Sequence, residues 1–335
     1  QSTVTIVTAE TGAGKSTQVP QYLLDEGLRV VVTQPRRLAA SSVAERVAEE
    51  RGSKFGGEVG FRTAFERCDS ADTWCLFVTD GLALVREVAA GGSCDGLVLD
   101  EVHEWNVNME VLVAWAKIQV AKDPNFRVVV MSATLKAEEL SSYFGKAPVI
   151  AVPGRLHPVE VGKAGFGMIE DVKALIEQGR NVLVFQPGKR EIAEMVGALQ
   201  KDETVSAEVL PLHGELEPSE QAKCFAHYTH PKVVVSTKVA QTSVTIDDID
   251  AVVDSGEERR IELVDGVETL TLAPISLADS AQRKGRAGRT KPGIYIDHCR
   301  SADRLEFPRA EILRVRLDQA VLRLLIHGFD LEEME

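Results

Sequence analysis

Short apolar runs recur along the chain, with helix-period stretches between them. Residues 4–7, 29–33, 74–78, 97–99 and 127–131 are apolar-rich segments of strand length, which predicts buried strands. Residues 38–50 carry Leu38, Val43 and Val47 at helical spacing. Strands alternating with helices predict a parallel sheet covered on both faces, with its strand ends and any site along one edge. Around residues 148–158 the chain becomes rich in Pro and Gly (Pro153-Gly154, His157-Pro158), which predicts a domain boundary. The pattern then restarts, with strands at 181–185, 205–210, 232–236 and 251–254 and a helix at 189–199. Residues 258–273 depart from it: two alternating runs flank Val264-Asp265-Gly266, the signature of a hairpin. Residues 310–326 have the spacing of an amphipathic helix. The expected division is 1–153, 154–309 and a final element at 310–335.

Composition narrows the class. A length of 335 residues suits two domains of ordinary size. No run approaches the roughly 18 apolar residues of a membrane span, so no membrane partner is expected. The chain opens Gln1-Ser2-Thr3, with neither a signal peptide nor an initiator Met, which points to the cytoplasm and to a trimmed chain or fragment. Its five cysteines form no paired motif and read as thiols in a reducing compartment. His227 and His230 have a spacing that suits a metal, but no further Cys/His cluster joins them. A net charge of −13 argues against bulk binding to phosphates. A cleft that grips one strand needs only local donors, however, so the balance predicts weak, salt-sensitive binding to duplex surfaces.

Two segments carry phosphate chemistry. Gly12-Ala13-Gly14-Lys15-Ser16-Thr17 follows the first strand and opens a helix. Glycines let backbone N–H groups wrap phosphates; Lys15 would neutralise the β and γ charges, and Ser16 would ligate Mg²⁺. Leu97-Val98-Leu99-Asp100-Glu101-Val102-His103 is a strand ending on two carboxylates. Asp100 suits Mg²⁺ held through water, and Glu101 suits the base that orients and deprotonates an attacking water. The plainer alternative is an acidic cap on the next helix. His103 is either a buried structural histidine or a link from that carboxylate to a second lobe. Ser132-Ala133-Thr134, after the strand at 127–131, is a candidate hinge through Ser132 and Thr134.

Far along the chain stands Gln282-Arg283-Lys284-Gly285-Arg286-Ala287-Gly288-Arg289. Read alone it could be a solvated basic turn. Read with the phosphate loop, it gives Gln282, Arg286 and Arg289 to a γ-phosphate, the two arginines sharing one helix face at i,i+3. An NTP site between two lobes is the expectation.

Together these segments resemble the DEAH/RHA group of superfamily 2 helicases, a bacterial-type DExH-box core. The motifs stand in order: Glu10-Thr11-Gly12-Ala13-Gly14-Lys15-Ser16-Thr17, Thr33-Gln34-Pro35-Arg36-Arg37, Thr79-Asp80-Gly81, Asp100-Glu101-Val102-His103, Ser132-Ala133-Thr134, residues 236–249 and residues 282–289. The resemblance implies an α/β fold of two tandem RecA-like P-loop NTPase domains with parallel sheets, then the start of a helical winged-helix element. It implies ATP, other NTPs being accepted, with Mg²⁺, and movement on single-stranded RNA or DNA, usually 3′ to 5′. It implies that Arg46 and Phe225 sandwich the nucleobase, Phe225 having plain core packing as the alternative. Ser243 would meet the attacking water or γ-phosphate, Asp247 the ribose, and Arg37, Thr79 and Thr237 the strand. The hairpin at 258–273 resembles the family's wedge-like element. A monomer is expected, with an accessory or activator protein as a further partner.

The chain departs from the family pattern at three positions. Val102 stands where the family name has Ala. Lys238 and Gln241 stand where the usual pattern has Asn and Glu; Lys238 could add a phosphate contact, and Gln241 removes a charge. The alternative function is a nucleic-acid-binding or scaffold module with a vestigial or partner-dependent ATPase. The full set of Lys15, Glu101, Gln282, Arg286 and Arg289 argues against it. A single-lobed nucleotide kinase leaves the second α/β half unexplained.

Overall fold

The computed structural model describes residues 2–9, 13–133, 137–154, 157–242, 246–326 and 332. The chain forms two compact units. The first comprises residues 1–154 together with 309–335, and the second residues 155–308.

The first unit is built on a sheet of β1 (Val4–Ala9), β2 (Val30–Gln34), β3 (Val59–Arg62), β4 (Arg67–Cys68), β5 (Cys75–Thr79), β6 (Gly96–Leu99), β7 (Arg127–Ser132) and β8 (Val149–Val152). Their spatial order is β4-β3-β5-β2-β6-β7-β1-β8. Every pairing is parallel except β3 with β4. Alternate residues along each strand enter different cores, as the two-residue period of a strand requires. Ile6, Val31, Leu97, Leu99 and Val130 pack with Met109, Leu112 and Trp115 of helix Val107–Lys122. Val7, Val32, Val98 and Met131 pack on the other face with Ala40, Ala44 and Val47 of helix Arg37–Glu50. Burial on both faces explains why the central strands read as unbroken apolar runs.

The second unit repeats the plan with β9 (Val159–Gly162), β10 (Val182–Phe185), β11 (Glu208–Leu212), β12 (Lys232–Ser236), β13 (Ala251–Asp254) and, after a hairpin, β16 (Gly293–Asp297). Their order is β11-β12-β10-β13-β16-β9, with all pairs parallel. Helices Met168–Glu177 and Lys189–Lys201 supply Val172, Leu175, Ile192 and Met195 to its core. The hairpin pairs β14 (Glu257–Val264) with β15 (Val267–Pro274) in antiparallel register. Asp265 and Gly266 both have positive φ (50° and 78°), the backbone of the tight turn that matches strand twist.

Residues 310–326 are not one helix. A single 3₁₀ turn, Glu311–Leu313, is followed by helix Asp318–Ile326. Tertiary bonds account for the break: the Glu311 N–H donates to the Trp105 carbonyl at 2.9 Å, and the Glu311 carboxylate accepts from the Val107 N–H at 3.0 Å. Glu311 thereby supplies a negative group at the N-terminus of helix Val107–Lys122, where its orphan N–H groups need one.

Phe77 is fully buried in the middle of β5. Phe77→Ala is expected to destabilise the first unit by about 3–5 kcal/mol, measured as a lower urea midpoint. An unchanged midpoint would contradict this packing.

Candidate active site

Parallel register brings the C-terminal ends of β1, β2, β6 and β7 to one edge of the first sheet, with Thr8 level with Ser132 and Thr33 level with Leu99. Ala13 and Gly14 lead into helix Lys15–Asp25. Gly14 has φ +80°, a conformation glycine adopts without a Cβ penalty. Lys15 starts the helix and is buried, with Nζ 3.1 Å from Glu101 Oε1. Ser16, next to it, is the second residue of that helix. Thr17 Oγ1 donates to the Gly14 carbonyl at 3.1 Å, closing the turn. Gly12 lies outside the described residues.

Asp100 follows β6 and is fully buried. Its Oδ2 accepts from Gln34 Nε2 at 2.8 Å, its N–H donates to Thr33 Oγ1 at 3.3 Å, and its Oδ1 accepts from the Glu101 N–H at 2.9 Å. Glu101 has φ +54°, a left-handed conformation that costs a residue with a side chain about 1–3 kcal/mol. Its Oε2 lies 3.3 Å from His103 Nε2. The other ring nitrogen of His103 accepts from the Ala133 N–H at 3.4 Å. A line of contacts therefore runs from Lys15 through Glu101 and His103 to the backbone beside Ser132. Thr134 lies outside the described residues.

The two carboxylates are pushed apart electrostatically. Burial raises the Asp100 carboxyl above its ordinary range, and the Glu101 charge adds to that, against Lys15, Ser16 and Gln34. Burial acts on Glu101 in the same sense, but Lys15 and then His103 outweigh it and hold this carboxylate below its ordinary range. An ionised Glu101 facing a lysine is a base whose counter-ion a phosphate can take over.

The strand-binding and nucleobase candidates of this unit lie elsewhere. Arg37 opens helix Arg37–Glu50 with its guanidinium 5.0 Å from the ring centre of the exposed Phe65. Arg46, on the same helix, is exposed and pairs with Glu50 at 2.8 Å. Thr79 ends β5, and the buried Asp80 after it accepts from Asn106 Nδ2 at 2.7 Å.

In the second unit, helix Leu277–Gly285 carries Gln282 and runs into a 3₁₀ turn, Arg286–Gly288. Arg286 and Arg289 therefore do not share one α-helical face. The turn rests directly on neighbouring backbone: a Cβ on Gly288 would lie 2.6 Å from the His157 carbonyl oxygen, and one on Gly293 2.2 Å from that of Ala287. Arg286 is buried and donates through Nε to the Gln241 carbonyl at 2.7 Å. Arg289 follows the turn, half-buried. Arg283, to which no role was assigned from the sequence, is the largest fully buried side chain among the described residues. It bonds Gln241 Oε1 at 2.9 Å and Asp254 Oδ1 at 2.7 Å, over the Phe185 ring at 4.7 Å.

Phe225 is half-buried, so it is neither core nor free surface. Asp247 is exposed, its carbonyl accepting from Thr290 Oγ1 at 2.9 Å. Thr237 directly follows β12, and Lys238 pairs with Glu258 at the hairpin base at 3.6 Å. Ser243 lies outside the described residues. Thr33, Gln34, Arg283 and Asp254 had no role assigned from the sequence, and Gln241 stood out only as a lost charge; polar residues inside wholly buried strands are the signal for Thr33, Gln34 and Asp254.

Residues 1–142 match the DEAD/DEAH box helicase family, and residues 167–291 the helicase conserved C-terminal domain. The chain is 35% identical to the ATP-dependent RNA helicase HrpA of Escherichia coli (strain K12), over 97% of this chain and 27% of that protein. It is 36% identical to an HrpA homolog of Haemophilus influenzae, over 98% of this chain and 27% of the relative. Among solved structures, the crystal structure of the Escherichia coli DEAH/RHA helicase HrpB is similar, with a TM-score of 0.88 and 30% identity over 97% of this chain and 44% of that one. The chain thus spans about a quarter of the length of the curated relatives it matches.

Burial first, and then the nearby Glu104 and Asp100, raise the Asp80 carboxyl to about 7 against the Asn106 hydrogen bond. Its folded value lies above the unfolded one of about 3.9. The stability it contributes is therefore full below about pH 4 and is lost as pH rises through about 7, by roughly 3–4 kcal/mol. Asp80→Asn should gain on the parent protein by that amount between those pH values in denaturant titrations. A pH-independent difference would contradict the assignment.

Proposed function

The chain belongs to the DEAD/DEAH box helicase family, and from that premise we propose that it hydrolyses ATP and couples turnover to movement on single-stranded RNA. The observation that carries this reading is the buried contact between Lys15 and Glu101, beside Ser16 and Asp100, at the strand ends of the first unit. Only one carboxylate of the pair is held below its ordinary range, and it is the one facing the lysine and His103.

In this reading the triphosphate lies over the turn into helix Lys15–Asp25. Gly12, Ala13, Gly14, Ser16 and Thr17 present backbone N–H groups to it, and Lys15 moves from Glu101 to the β and γ oxygens. Glu101, released from its counter-ion, orients a water and takes its proton. The Ser16 hydroxyl and Asp100 carboxylate are the hard oxygen donors that suit Mg²⁺. When bound, that ion neutralises charge on the β and γ oxygens. His103 would report the state of Glu101 to the Ser132–Thr134 segment through Ala133.

We assign the charge developing on the γ-phosphate to Gln282, Arg286 and Arg289. The base is assigned to Arg46 and Phe225, the ribose to Asp247, the attacking water or γ-phosphate also to Ser243, and the strand to Arg37, Thr79 and Thr237. The family resemblance supports these roles, as it supports 3′ to 5′ movement, acceptance of other NTPs and DNA, and a helicase core acting as a monomer in the cytoplasm with an accessory protein. No helix among the described residues is long and apolar enough to cross a membrane. The winged-helix reading of residues 310–335 rests on the same resemblance.

Glu101→Gln keeps the shape and removes the base. ATP turnover should fall by about 10²–10⁴-fold, with nucleotide affinity retained in a fluorescence titration. Turnover at the parental rate would remove Glu101 from the mechanism.

Single-stranded RNA should raise the ATPase rate of the parent protein. A rate unchanged across RNA and DNA oligonucleotides would favour a module whose ATPase depends on a partner.

A further inference from the structure

We infer that Gln241 is the positioning residue of the arginine segment, and that it must be an amide because Asp279 already supplies the carboxylate beside it. The inference rests on the proposed NTPase reading for its functional consequence, and on the second unit alone for its geometry.

Gln241 is 5% exposed and binds four residues of one short segment. Its Nε2 donates to Asp279 Oδ1 at 2.6 Å and to Gln282 Oε1 at 3.0 Å. Its Oε1 accepts from Arg283 Nε at 2.9 Å. Its backbone carbonyl accepts from Arg286 Nε at 2.7 Å and also from Nη2. The amide orientation follows from these partners: a guanidinium can only donate, and an ionised carboxylate can only accept. Asp279 is itself fixed, taking the Ser276 N–H at 3.3 Å and the Ser276 hydroxyl at 2.5 Å in a capping box at the start of helix Leu277–Gly285.

Two consequences follow. The first is charge balance. The groups facing Gln241 are Arg283 and Arg286 against Asp279 and Asp254, with the neutral Tyr295 hydroxyl donating to Asp254 Oδ2 at 2.9 Å. A carboxylate at 241 would add a charge directly against Asp279, and two carboxylates at that spacing cannot both ionise. The second is polarity. Because Gln241 donates to Gln282 Oε1, the Gln282 amide nitrogen, a double donor, is the end left to meet an oxygen-rich ligand such as a terminal phosphate. A carboxylate at 241 accepts only. It would turn the Gln282 amide over, presenting an oxygen to the phosphate.

The test uses the whole chain and compares Gln241→Glu, Asp279→Asn and the double variant, with RNA-stimulated ATPase and thermal unfolding as readouts. Gln241→Glu should lose about tenfold or more in kcat, with KM for ATP within about twofold. Its kcat should recover as pH falls, because a protonated glutamic acid donates again, and the double variant should regain activity by removing the opposing charge. A kcat equal to the parent's overturns the proposal. So does a loss that is constant across about pH 6–9 and is not improved by Asp279→Asn. If the parent itself shows no turnover, the function reading fails instead, and the unfolding data decide this inference alone. Gln241→Glu should then lower Tm by at least about 3 °C, with Asp279→Asn restoring it; no change in Tm would overturn it.

Discussion

A lysine and a glutamate that have both left water hold the first unit's site together. Lys15 and Glu101 meet at 3.1 Å, each almost fully buried. Neither charge is stable there alone, because removing one partner of a buried pair strands the other at a cost of about 3–5 kcal/mol. The constraint reaches back into the fold. It needs β1 and β6 in fixed register with the strands between and beside them, a left-handed glycine at Gly14, and a left-handed turn at Glu101 that has no glycine to ease it. Strain of that kind survives where the surroundings over-determine it, and here Asp100, His103, Gln34 and Thr33 do so.

The second unit has the same layered plan and a different electrostatic solution. Its central polar group is an amide, Gln241, around which Arg283, Arg286, Gln282 and Asp279 are arranged. Arg283 is fully buried yet satisfied, with Asp254 as counter-ion and the Phe185 ring beneath it. One unit thus presents a cation bound to a base, and the other two arginines held by Gln241, one of them also by the Asp254 carboxylate. The proposed chemistry asks for both kinds of group: one that a phosphate can displace, and one that is already in place when charge develops.

Much of this was legible in the sequence where the signal was local. Central strands such as β2, β6 and β10 are buried on both faces, so they stand out as apolar runs. Lys15 and the Asp100-Glu101 pair stood out because each belongs to a short contiguous run beside an apolar strand. The edge strand β8 was not legible: every one of its residues is exposed, so residues 149–152 looked like part of a linker. The break in 310–326 could not be read because the bonds of Glu311 go to residues about 200 positions earlier. Gln241 looked like a lost charge for the same reason, its partners lying about 40 residues onward.

The exchange of Lys15 between Glu101 and a phosphate is the point on which the functional reading turns. A structure of the whole chain with a non-hydrolysable ATP analogue measures it directly. Lys15 Nζ is expected on the β and γ oxygens, with the Glu101 carboxylate facing a water beside the terminal phosphate. Lys15 still bound to Glu101, with the triphosphate seated elsewhere, would contradict the account.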